Sequence, residues 1–410
     1  MTSKSSEVAE ALLSAAAVRE RTGRLFALGE AGRLEHFALD LAAMPALAKR
    51  VAEVTRKAYP TLAVPFHARW RHFVHAGTDR WAKLADAVPW ATPADRARAA
   101  FDLAVTSVLL DAGAGPHWRY RDPATGEAVG RSEGLALASF DMFASGAFSA
   151  DPADPLRADA GKLMTLSVSD LACGFQVSDG NPLEGLEGRA ALLNALGRAL
   201  NSAAAPRDAT GVARPGALFD ALVAGGGSVR APAILGAALR YLGGIWPSRL
   251  VLEGIPLGDC WRYPRLGDGT PGSELVPFHK LSQWLSYSLI EPMQAAGVAV
   301  TEIDGLTGLA EYRNGGLFLD GGAIVPKSPA ILAEAHAPDS AVVIEWRALT
   351  VQLLDRIAPL VRRELGVSEA EFPLAKVLEG GTWATGRVLA RERRADGGPP
   401  LRIVSDGTVF

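Results

Sequence analysis

The chain has 410 residues, 49% of them hydrophobic and 21% charged, the balance of a well-buried globular protein. Its formal net charge of -3 argues against a general binder of nucleic acid or of membrane surfaces. No run approaches the ~20 uninterrupted apolar residues of a transmembrane helix. With only Cys173 and Cys260, no disulfide framework is available. The opening stretch MTSKSSEVAEALLSAAAVRERTG is broken by Glu7, Glu10 and Glu20 and lacks the apolar core of a targeting signal. The expectation is a soluble cytoplasmic protein with no nucleic-acid and no membrane partner.

The first 60 residues read as helices, since Leu34, Phe37 and Leu41, then Leu47, Val51 and Val54, recur at helical spacing. Thr92-Pro93-Ala94-Asp95 is a helix start: a hydroxyl cap, a proline for the first turn, and a carboxylate at the positive end of the dipole. That helix carries Phe101, Val105 and Val108 on one face. Ser132 is read as the cap of a further helix with Leu135, Ala138 and Met142 facing inward. Loops follow at Asp151–Pro155, Gly180–Gly188 and Gly211–Gly227. Strands are few and late. GLFLD (Gly316–Asp320) is expected to face GAIVP (Gly322–Pro326), and LRIV (Leu401–Val404) closes the chain, with a long helix between from Val342 to Leu365. The expected fold is therefore mainly α, a multi-helical protein with small β elements toward the C-terminus. Residues 1–150 and 151–410 are expected to form an N-terminal helical part and a C-terminal helical part with small β hairpins, packed as one compact unit around a shared site.

The tetrapeptide VPFH occurs twice, ending at His67 and at His279. Its flanks, ARWRHF and KLSQW, do not match, so it is not the trace of a repeat. Each proline suits a first helical turn, which would set both histidines beside free backbone amides able to hold an anion. His67, Arg71 and His75 would then share one stripe, with Arg69 beside it, and His279, Gln283 and Tyr287 another. The plainer alternative is a hydrogen-bonded core histidine. Metal binding has little support, because HExxH and paired cysteines are both absent.

Three glycine-rich polar stretches stand out in a helical chain. GDCWRYP (Gly258–Pro264) sets Asp259 beside Trp261 and Arg262. DGLTGLAEYRNGG (Asp304–Gly316) holds Asp304, Glu311 and Arg313, and LEGGTWATGR (Leu378–Arg387) holds Glu379, Trp383 and Arg387. Upstream, LLDAGAGPHWRY and GRSEG supply Asp111, Trp118 and Glu133. Glycine lets backbone approach a ligand, and a carboxylate beside an indole and a guanidinium suits a site that stacks a planar group and stabilises charge. Most such carboxylates are caps or ion-pair partners; Asp259 is singled out from them.

These motifs, with VPFHARWRHF, RSEGLALASFDMFASGAFS, FQVSDGNPLEGLEGR, LVPFHKLSQWLSYSLIEP, VVIEWRALTV and the terminal SDGTVF, resemble the uracil catabolism protein four (urg-three) family over nearly the whole chain. The resemblance implies breakdown of uracil through its ribonucleotide, with a cyclohydrolase-like partner opening the ring and this protein acting on the open-chain, urea-bearing ribotide. The order HWRY, GRSEGLALASFDMFASG, GDCWRYP is also similar to queuosine-phosphate glycohydrolases, helical relatives of DNA glycosylases with a D-Y-R-x-P stretch. On that likeness Asp259 and Arg262 match the aspartate and arginine, and the core would be DNA-glycosylase-like.

Both resemblances imply cleavage of an N-glycosidic bond of a phosphorylated riboside through an oxocarbenium-like sugar. The expected carboxylate is Asp259, with Glu133 or Asp304 as a second acid. His67, Arg69, Arg262, His279 and Lys280 are expected to hold the phosphate, and Trp118 and Trp261 to exclude water. Gln283, Glu311 and Arg313 are expected to line the same pocket. No metal and no organic cofactor is required. An amidase attacking the ureido C–N bond, or a non-catalytic partner of the ring-opening enzyme, are the rival readings.

Overall fold

In the computed structural model, which describes residues 4–246 and 250–404, helices dominate from end to end. They run α1 (Lys4–Leu12), α2 (Ala15–Glu30), α3 (Met44–Ala58), α4 (Arg80–Ala87), α5 (Pro93–Leu109) and α6 (Arg131–Ala144). Next come α7 (Ala160–Thr165), α8 (Val168–Gly174), α9 (Leu186–Asn201), α10 (Ala217–Val223) and α11 (Ala231–Leu242). The last are α12 (Lys280–Ala295), α13 (Tyr312–Asp320), α14 (Ala330–Ala333), α15 (Ala341–Leu365), α16 (Leu374–Val377) and α17 (Trp383–Arg393). The fold is mainly α, as the sequence predicts. The terminal SDGTVF motif lies outside the described residues.

The chain does not divide at residue 150. Residues 4–67, 250–283 and 302–404 gather into one compact unit, and residues 68–246 and 284–301 into another, with the division falling inside α12. In the first unit α15 is the spine, buried along most of its length, with α2 and α3 packed against it. Ser340 caps its start, and left-handed Gly366 (φ 73°) closes its end. Glu345 of α15 is fully buried, accepting from the Glu35 and His36 amides and from the Tyr263 hydroxyl, so it ties two separate stretches to the spine. In the second unit α5 and α9 are central. Thr92 caps α5 by accepting from Asp95 N, and buried Asp102 gathers Arg214, Gly216 N and Ala158 N around it.

Several local expectations change. Phe37–Leu39 is a strand, because it pairs antiparallel with Ile324–Pro326, and this overrides the helical spacing of Leu34, Phe37 and Leu41. The GLFLD half of the expected hairpin is the end of α13, started by Glu311, whose carboxylate accepts from Arg313 N and Asn314 N. Gly130, not Ser132, occupies the cap position of α6, and the Ser132 hydroxyl donates to Asp111 instead. Two-stranded β pairs occur throughout the chain rather than only late; Arg402–Ile403 runs parallel to Ala335–His336.

Neither VPFH starts a helix as expected. Leu275–Pro277 is a strand paired with Cys260–Arg262, where a two-stranded ladder tolerates the missing proline N–H. His279 follows in the left-handed region (φ 49°) and its carbonyl accepts the first helical bond of α12 from Gln283. His67 lies in a bend before a short 3-10 turn, Arg69–Phe73, so the expected stripe through Arg71 and His75 does not form.

Candidate functional site

The first unit brings three of the singled-out stretches together through one arginine. Arg347, 1% exposed on α15, donates Nη1 to Asp259 Oδ1 and Nη2 to Asp259 Oδ2, each at 2.7 Å. Its Nε reaches Ala310 O at 3.2 Å, and its guanidinium lies 4.1 Å from the centre of the Phe278 ring. One side chain thus positions the GDCW loop, the second VPFH and the residue before Glu311.

Asp259 receives two more donors, Trp261 Nε1 at 2.7 Å and Lys280 N at 3.0 Å. Burial works against its ionisation, but the Arg347 charge and this full set of hydrogen bonds outweigh it and hold the carboxyl well below the usual range. With four donors on four acceptor positions, Asp259 is an ionised anchor rather than a proton acceptor. His279 is fixed too: Nε2–H donates to Leu12 O at 2.9 Å, and burial pulls the imidazole below its ordinary pKa against that bond. At 1% exposure it is a buried histidine with one ring nitrogen bonded to the backbone.

His67 is held by a carboxylate rather than by a backbone carbonyl. Its backbone N donates to Ala375 O, and its Nδ1–H donates to Glu379 Oε2 at 2.7 Å. Glu379 sits in a π-turn, Leu378–Thr382, the kind of local widening that recurs at functional sites. The Tyr59 hydroxyl reaches the other carboxylate oxygen at 3.4 Å, the Trp383 ring lies 6.3 Å from the imidazole, and the Arg387 guanidinium lies 4.8 Å from the Trp383 ring centre. Close by is Glu311, only 7% exposed. Burial pushes its carboxyl up, while the Arg313 and Asn314 amides and the charges of Lys280 and His67 pull back without cancelling it. His67, Glu311 and Lys280 therefore form one electrostatic cluster.

Other expected residues are placed elsewhere. Asp304 accepts from Leu374 N at 2.6 Å and pairs with Arg362, pinning a loop. Gln283 holds Thr307 by both ends of its amide, at 2.6 and 3.1 Å. Arg313 donates to Gly397 O and Arg262 pairs with Glu274 on the surface. Asp304, Gln283, Arg262 and Arg313 thus each have a partner within the first unit.

Arg69, Trp118 and Glu133 belong to the second unit. Arg69 is fully buried and pairs with Asp111 at 2.9 Å, with Ser107 and Ser132 also on its guanidinium. Trp118 is a core indole donating to Phe175 O, and Glu133 stands in the first turn of α6. Among the described residues no three His, Cys, Asp or Glu side chains group as a metal ion would require. Glu379 was named in the sequence only as one polar residue of a glycine-rich stretch, and Arg347 was not singled out there. Both lie in quoted motifs, yet their partners are 312 and 88 positions away.

The profile of the family described as "Protein of unknown function (DUF1688)" matches residues 11–410. The chain is similar to Protein urg3 of Schizosaccharomyces pombe, 36% identical over 415 residues that cover 99% of this chain and 100% of that protein. It is equally similar to Uracil catabolism protein 4 of Lachancea kluyveri, 36% identical over 433 residues covering 97% of this chain and 98% of that protein.

Proposed function

The chain belongs to the DUF1688 family, and from its likeness to Uracil catabolism protein 4 we propose that it serves uracil catabolism as an N-glycoside hydrolase. The substrate in this reading is a ring-opened, urea-bearing ribose 5-phosphate, supplied by a cyclohydrolase-type enzyme that opens the pyrimidine. The supporting observation is the His67–Glu379 pair at 2.7 Å with buried Glu311 inside the same electrostatic cluster.

N-glycosidic cleavage needs an acid for the departing nitrogen and a base for the water that meets the sugar cation. Environments that push two titratable groups apart supply such a division of labour. Glu311, kept toward its protonated form by burial, is the acid in this scheme. Its proton passes to the urea nitrogen as the bond to the anomeric carbon breaks and the electron pair goes to nitrogen. His67, fixed by Glu379, takes a proton from the water that adds to the anomeric carbon. Lys280 provides a cation for the phosphate. Asp259, first expected as the carboxylate of the reaction, acts instead as a positioning residue through Arg347.

The test is to incubate the purified chain with the ring-opened ribotide and identify products by NMR. Urea and ribose 5-phosphate are expected. Ammonia or a carbamate would replace this reading with the amidase, and no turnover would replace it with a non-catalytic partner.

A further inference from the structure

The second unit contains a cleft of about 190 Å3 that none of the chemistry above uses. One wall is a pair of indoles, Trp70 and Trp81, with ring centres 5.6 Å apart. Pro292, within α12, also lines the cleft and explains why the first indole is fixed. A proline has no N–H to offer the carbonyl one turn back, and that carbonyl, Ser288 O, accepts from Trp70 Nε1 at 2.6 Å. The remaining lining includes small alanines from α5 and α12.

The polar groups in the lining are of both signs. Arg71 pairs with Glu291 at 2.5 Å, so its charge is already compensated. Arg96 leans on Asp86 at 3.3 Å, a residue outside the lining, and Asp79 spends Oδ1 on the Ala82 amide. A strongly anionic or cationic ligand finds no net field here. A neutral ring with in-plane N–H donors and C=O acceptors finds matching partners of both kinds at the edge and an indole to stack on. The volume is below the ~300–1,000 Å3 of sites for drug-sized ligands, which limits the occupant to about one ring. We infer that this cleft is a second binding site, for a neutral nucleobase-type heterocycle without its sugar phosphate. The inference is independent of the reaction proposed above.

Uracil is the probe, titrated into the full chain by calorimetry and by tryptophan fluorescence. Saturable binding that quenches fluorescence is expected, with no competition from ribose 5-phosphate. Ala295→Trp places bulk at an exposed lining position and should abolish binding. Arg96→Glu, at a side chain 37% exposed, should weaken it about tenfold with circular dichroism unchanged, the loss of one charge-assisted hydrogen bond. No saturable binding overturns the inference. So does binding that both variants leave intact, or binding that ribose 5-phosphate displaces.

Discussion

Asp259 and Glu311 carry the same functional group and are driven in opposite directions by what surrounds them. Arg347 is 1% exposed and spends both terminal nitrogens on Asp259, so removing the carboxylate strands a buried cation. Asp259→Asn is expected to destabilise the protein by ~3–5 kcal/mol, read from urea denaturation. Because the folded pKa of Asp259 lies below its unfolded value, its contribution is full above about pH 4 and drains away as the pH falls through the folded value. The stability gap between wild type and Asn variant should therefore narrow in acid; a gap constant with pH would deny the ion pair its role. Glu311, raised by burial, predicts the opposite behaviour in the rate: kcat falls as pH rises through its pKa, and Glu311→Gln removes that limb. Glu379→Gln should cost about 10²–10⁴-fold in kcat with little change in KM, since it leaves His67 present but unoriented. Asp259 and Glu311 were legible in the sequence as polar residues among glycines, and His67 through the recurring VPFH. Their different surroundings were not, because these depend on partners that no local spacing reveals.

The π-turn that carries Glu379 depends on what its glycines allow. A Cβ on Gly381 would stand 2.4 Å from Val51 Cγ1 and 2.6 Å from Thr55 Oγ1, both on α3 and both buried. Neither neighbour can swing away, so Gly381→Ala must push the turn off α3. A loss of ~1–3 kcal/mol is expected by thermal or chemical denaturation, together with a fall in activity as Glu379 moves from His67. Unchanged stability would mean that the turn is looser than its packing implies. Elements of this sort were read unevenly. Caps with a hydroxyl and a proline, as at Thr92, announce themselves, and so does the sustained periodicity of α15. GLFLD failed because its alternating apolar pattern fits a strand, whereas the cap that commits it to α13, Glu311, stands five positions before it. Phe37 failed for the converse reason: its strand partner lies near residue 326.

At the scale of the molecule, neither compact unit is a continuous stretch of chain, and a sequence read from left to right has no means of showing that. The division expected at residue 150 cuts through the second unit and separates α2 and α3 from the helix they cover. Val18 and Leu25 of α2, and Leu47 and Val51 of α3, are almost fully buried, and α15 is the element both helices pack against. Phe37–Leu39 likewise needs Ile324–Pro326 for its ladder. Residues 1–150 expressed alone would keep local helix signals but lose those partners, and short helices without tertiary packing are marginal in water. The fragment is expected to show partial helicity by circular dichroism and no cooperative thermal transition. Residues 4–67, joined by short linkers to 250–283 and 302–404, recover every contact named here and should melt cooperatively. If the 1–150 fragment melts cooperatively instead, the packing of α2 and α3 on α15 is not what holds the first unit together.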